Sequence, residues 1–170
     1  MPKLMIAAIL NNEVLIEVSV EVSVMAEINH RIGVASSAEQ VYQALTTNEE
    51  LAKWWTWDVS GAGPVGSVIQ FRFHGKGPDF SVVELQPDRL VRWRHSGEMP
   101  GEWKGTEISF SIEPENDQTF IRFRHSGWAG ASDFLAHCST KWAVFLLSLK
   151  SVLETGKGHP FPDDVHIDLS

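Results

Sequence analysis

Between Val68 and His125 the apolar residues of this chain recur at every second position, and from Phe134 to Val152 they recur at every third or fourth. That single change of period constrains the fold more than anything else in the sequence. Period two is the signature of a half-buried strand, and a period near 3.6 is that of a helix. Five strands are predicted before the change: Val68–Phe73, Phe80–Leu85, Leu90–His95, Thr106–Ile112 and Phe120–His125. The segments Gly75–Pro78, Pro87-Asp88, Gly97–Gly101 and Pro114–Asp117 separate them and read as hairpin turns. After the change, Phe134, Cys138, Trp142, Phe145, Leu149 and Val152 share one face of a long helix. Gly156 and Gly158 can end that helix, and Pro160 and Pro162 open an extended tail.

Upstream, the chain alternates strictly over 14–24, with Val14, Ile16, Val18, Val20, Val22 and Val24 on one side of a strand. A second strand is expected at Ile28–Val34. Ser36-Ser37-Ala38-Glu39-Gln40 has the spacing of a helix capping box, with Val41, Ala44 and Leu45 as its apolar face. Thr47-Asn48-Glu49-Glu50 repeats the signal for a second short helix ending in Trp54-Trp55, and Gly61, Gly63, Pro64 and Gly66 then mark a loop. Strands run together while helices stand apart. The fold class is α+β, a curved antiparallel sheet wrapped around a long C-terminal helix, with two short helices after the first strand. The expected division is an N-terminal strand extension at 1–24, a folded domain at 25–158 and a tail at 159–170.

The bulk charge narrows the function. With 22 acidic against 14 basic residues and a net charge of −8, the chain is a poor match for nucleic acid or an anionic membrane, since both want a basic face. Lone Cys138 has no partner for an internal disulfide. No apolar run approaches the ~18 residues of a membrane helix. The opening Lys3–Leu10 is a minimal leader-like stretch with no small-residue cleavage site before Asn11-Asn12-Glu13. A cytoplasmic protein is expected. Its seven tryptophans imply an interior or pocket lined with large flat rings.

Several segments in this order resemble the START-like, or SRPBCC, helix-grip superfamily, and within it the branch related to the activator of the heat-shock protein 90 ATPase. They are Ile32-Gly33-Val34, Ala38–Leu45, Leu51-Ala52-Lys53-Trp54-Trp55, Gly127-Trp128, His137–Trp142, Leu153–Gly158 and Pro160-Phe161-Pro162. The resemblance spans roughly 26–165. It implies a cavity between sheet and long helix that holds a small hydrophobic molecule. The branch name also implies a chaperone as partner, although the eukaryotic activator uses a second domain for that contact. Residues 1–24 have no counterpart in the pattern.

Alternation names the residues that would line such a cavity. Phe71 and Phe73, Trp93, Phe110 and Phe123 share the inner sheet face. Phe134, Cys138 and Trp142 oppose them from the helix, with Trp54 and Trp128 alongside. Arg92, Arg94, Arg122 and Arg124 must then point outward, as a solvated face paired with glutamates or a dock for an acidic partner. Val91-Arg92-Trp93-Arg94-His95-Ser96-Gly97 is echoed by Ile121-Arg122-Phe123-Arg124-His125-Ser126-Gly127. His95 and His125 should emerge at one end of the inner face about 10 Å apart, too far to share a zinc ion. They would hydrogen-bond a ligand's polar head or meet water.

Catalytic signals are sparse. Cys138 and its neighbour His137 diverge by about 100° on a helix, and Asp163, Asp164 and His166 lack metal-ligand spacing. No cofactor is implied. A non-enzymatic binder is therefore expected, with a co-chaperone or an aromatase- or cyclase-like enzyme as alternatives. The valine-rich strand at 14–24 should pair with an edge of the sheet, in its own chain or in a second copy, giving a strand-mediated homodimer.

Overall fold

The computed structural model of the chain describes residues 4–8, 16–20 and 25–168. Two short strands, β1 (Leu4–Ala8) and β2 (Ile16–Val20), form a sheet of their own. The main sheet takes β3 (Ala26–Val34), β4 (Asp58–Ser60), β5 (Val68–Arg72) and β6 (Asp79–Gln86). It is completed by β7 (Leu90–His95), β8 (Glu107–Glu115) and β9 (Gln118–Trp128). The spatial order is β3-β9-β8-β7-β6-β5-β4, a seven-stranded antiparallel meander closed by the one long crossover that brings β3 beside β9. Helices α1 (Ala38–Thr46) and α2 (Asn48–Leu51) lie in that crossover, and α3 (Asp133–Thr155) follows the sheet. This is the expected α+β, helix-grip architecture. Among the described residues no helix is long and apolar enough to cross a membrane.

Side-chain alternation explains which face carries the core. Val91, Trp93 and His95 on β7 are buried, as are Ile108, Phe110 and Ile112 on β8 and Ile121, Phe123 and His125 on β9. The intervening arginines face outward and each meets a glutamate. Arg92 pairs with Glu84 at 2.9 Å, Arg94 with Glu107 at 2.7 Å, Arg122 with Glu113 at 2.8 Å and Arg124 with Glu27 at 2.5 Å. All these groups are substantially exposed, so each pair contributes little stability, about 0–1 kcal/mol.

The helix ends follow their sequence signals. Ser37 caps α1 and Gln40 returns the bond, forming the expected capping box, while Thr47 caps α2. Gly156 ends α3 at φ 79°, and its N–H closes on the Val152 carbonyl at 2.8 Å.

Four features differ from expectation. α2 stops at Leu51, so Trp54 and Trp55 follow it in a turn and both are buried. β4 occupies a stretch with no alternation to read, since three residues carry one half-buried valine, Val59. β9 continues to Trp128 because Gly127, at φ 87°, lets the strand bend where a Cβ would collide with the Gly105 carbonyl. Finally, Ile16–Val20 pairs antiparallel with Leu4–Ala8, from Leu4↔Val20 to Ala8↔Ile16. The leader-like opening is thus a strand, and it supplies the partner that was expected from a main-sheet edge or a second copy. The outer parts of the 14–24 strand, including Val14, Val22 and Val24, lie outside the described residues.

Candidate functional site

Helical periodicity places Phe134, His137, Cys138, Lys141, Trp142 and Phe145 on one continuous face of α3. Across from them stand Trp55, from the turn after α2, Phe73, just past β5, and Trp103, from a 3-10 turn at Gly101–Trp103. Together these nine residues line a recess of about 160 Å³. An apolar cavity of about 150 Å³ accommodates benzene, whereas drug-sized ligands occupy about 300–1,000 Å³. The recess is the size of one ring with a short substituent.

Of the residues expected to line a cavity, Phe73, Phe134, Cys138 and Trp142 do so. Phe71, Trp93, Phe110 and Phe123 do not, because their rings fill the space between sheet and helix. Trp93 lies 5.8 Å from Phe71 and 5.2 Å from Phe110, Phe110 lies 5.3 Å from Phe123, and Phe123 lies 4.5 Å from Trp142. Trp55 closes the set, 4.0 Å from Phe71 and 4.8 Å from Trp142. Facing aromatic rings interdigitate there, as close-packed interiors do, and the recess lies beside them. Trp54 is likewise core, its indole donating to the Ala44 carbonyl at 2.9 Å. Trp128 is buried against His125 and Phe134.

The histidine pair also departs from expectation. His95 and His125 do reach the same end of the inner face and both contact Trp103. Neither opens to a pocket mouth or to water, since His95 is 6% and His125 0% exposed. Both nitrogens of His125 are used. Its Nδ1 accepts from the Trp142 indole at 3.2 Å, which leaves Nε2 to donate to Thr106 Oγ1 at 2.9 Å. Thr106 in turn donates to the Trp103 carbonyl at 2.6 Å. Two walls of the recess, Trp142 and Trp103, are thereby joined through one imidazole and one hydroxyl. Burial, aided by the nearby His95, pushes the His125 pKa down to about 3, so the ring is neutral at physiological pH. His95 Nε2 meets the Met99 carbonyl at 3.0 Å, and its Nδ1 is buried without a hydrogen-bond partner.

The thiol in the recess is a weak nucleophile. Burial pushes the Cys138 thiol up to about 11, against a smaller opposing effect of the Trp103 indole, so the nucleophilic thiolate is scarce. The polar rim consists of His137 and Lys141, which periodicity from Phe134 could have identified. Trp55 and Trp103 carried no such signal, because each sits in a turn where no period assigns a face.

Residues 35–154 match the model of the family described as Activator of Hsp90 ATPase homolog 1-like protein. No curated protein matches the chain. Among solved structures, the chain is similar to the Aha1 dimer from Colwellia psychrerythraea, determined in solution. That likeness has 62% identity and a TM-score of 0.74, over 79% of this chain and 100% of that one. It also resembles protein SSP2350 from Staphylococcus saprophyticus, at 18% identity and a TM-score of 0.65, over 78% of this chain and 95% of that one. CalU16 from Micromonospora echinospora is similar at 14% identity and a TM-score of 0.61, over 75% and 81% of the two chains. The last two likenesses are of fold alone.

Proposed function

The chain belongs to the Activator of Hsp90 ATPase homolog 1-like family, and from that premise we propose that it binds a small ring-shaped hydrophobic molecule between sheet and α3. The observation that carries this reading is the recess itself. It is a gap in the aromatic interior, and its walls include Trp55, Phe73, Trp103, Phe134, Trp142 and Phe145. Apolar walls with a few polar groups at the rim are the composition of a small-molecule site. A cyclase reading gains no support from His95 and His125, because neither lines the recess and His125 has both nitrogens engaged.

Titration with indole or toluene, followed by calorimetry, should give saturable binding with a negative heat-capacity change. Cys138→Phe places a ring where the ligand would sit and should abolish that binding while leaving a folded, two-state protein. Absence of saturable binding in the parent chain, or undiminished binding in Cys138→Phe, would overturn the reading.

A second reading is favoured by the family description and by the outer sheet face. There a trough of about 510 Å³ is floored by Ser109 and Ser111 and walled by Arg31, Arg92, Arg122 and Arg124. Each of these arginines is already paired with a glutamate, so an acidic segment of a heat-shock ATPase bound by surface contact would exchange for those carboxylates. Stimulated ATP turnover by a heat-shock protein 90 in the presence of this protein, lost in Arg92→Glu with Arg124→Glu, is the expected result. Stimulation that survives both charge reversals would remove the trough from the account.

A further inference from the structure

The two polar groups at the rim of the recess, Lys141 and His137, both take carboxylate partners from one segment that is not part of the recess. Lys141 Nζ donates to Asp164 Oδ2 and, at 3.2 Å, to the Val165 carbonyl. His137 Nδ1 lies 3.0 Å from the Asp168 carboxylate. Lys141 and His137 stand one helical turn apart on the same face of α3, so two oxygens of one anion can reach both.

The segment that supplies the acids, residues 159–168, is a strap laid from the sheet to α3. Its sheet end is well held. The Phe161 N–H donates to the Trp55 carbonyl at 2.8 Å, and the Phe161 ring packs 5.1 Å from Phe73 and 4.8 Å from His74. Its helix end is held through Lys141 and His137, with one buried oxygen left over. The Asp164 side chain is 1% exposed, yet only Oδ2 is bonded, and Oδ1 is buried without a hydrogen-bond partner. A carboxylate taken out of water and satisfied on one oxygen sacrifices much of what its ion pair gains. The strap is therefore anchored at Phe161, while its seat at Asp164 leaves one buried carboxylate oxygen unsatisfied.

Resting on the proposed ligand recess, we infer that its ligand is a single-ring aromatic carboxylate, and that Asp164 of the strap stands in for the ligand's carboxylate at Lys141. The ring occupies the aromatic walls, while the carboxylate takes Lys141 and His137. Asp164 then returns to water as the helix end of the strap lifts, with Phe161 still docked. Because the chain carries a net charge of −8, an anion gains nothing from the overall field. Selectivity for a carboxylate must come from these two side chains.

The test compares benzoate with benzyl alcohol, which share a ring and differ in charge, by calorimetry on the full chain. The parent protein should bind benzoate more tightly than benzyl alcohol. Asp164→Asn removes the competing charge and should raise benzoate affinity about five- to tenfold, equivalent to roughly 1–1.4 kcal/mol, with benzyl alcohol changed less than about twofold. Lys141→Met should lower benzoate affinity by a similar factor and spare benzyl alcohol. Binding of benzyl alcohol with no preference for benzoate would overturn this inference and leave the apolar recess standing. Failure of both probes in the parent protein would overturn the two together. An unchanged benzoate affinity in a folded Asp164→Asn protein would overturn the role of the strap.

Discussion

Replacing Trp142 with alanine is expected to lower the unfolding free energy by about 3–5 kcal/mol, the range for a large aromatic truncated in a packed core. The side chain is 2% exposed and touches Trp55, Phe123 and Trp103 at ring separations of 4.8, 4.5 and 6.1 Å. Its loss enlarges the recess and also strips His125 Nδ1 of its donor. The two contributions can be separated. Trp142→Phe keeps most of the packing and loses the indole N–H, so it should cost only about 1–3 kcal/mol, the penalty of an unsatisfied buried acceptor plus a small void. Urea unfolding of the three proteins measures both steps. An alanine variant within 1 kcal/mol of the parent would contradict a close-packed contact between α3 and the sheet.

The second large effect is a loss of stability in mild acid that traces to His125. Folded, its pKa lies at about 3; unfolded, it returns to the ordinary value of 6.5. Between those values the unfolded chain binds a proton that the folded chain refuses, so stability falls as pH falls. The slope is at most about 1.4 kcal/mol per pH unit. From pH 7 to 4.5 this one residue should account for a loss of about 2.5 kcal/mol. His125→Asn can keep an acceptor near the Trp142 indole and does not titrate. It should be less stable than the parent at pH 7, with a shallower dependence on pH across this window. Parallel pH profiles for the two proteins would show that other groups set the acid limit.

Periodicity was a good guide wherever a residue sits in a regular element. It placed Trp93, Phe110, Phe123 and Trp142 inside and the arginines outside, and the capping signals at Ser37 and Thr47 located both short helices. It could not say whether inward-facing rings enclose space or fill it. That depends on how side chains from opposite layers interleave, which is a property of distances between elements and not of order along one. The equal-looking histidines show the same limit. His95 and His125 occupy matching places in a repeated heptapeptide, but β9 faces α3 and the Trp142 indole, whereas β7 ends against the Met99 carbonyl. Their different bonds were therefore invisible in the repeat. Trp55 and Trp103 escaped notice for a related reason. Both lie in turns, where the backbone and not a repeat decides where a side chain goes.

The crossover that sets β3 beside β9 has a consequence for how the molecule is made. Ile28 is opposite His125, and Gly33 is opposite Phe120. During synthesis at about 5–20 residues per second, β3 waits on the order of five to twenty seconds before its ladder partner has been added to the chain. Every other neighbouring pair in the main sheet is a hairpin that can close as it is made. Such a delay exposes an unpaired edge to other nascent chains. Asn29, His30 and Arg31 in the middle of β3 make that edge a poor template for association. The strand that must wait longest is thus also one whose centre is polar enough to wait safely.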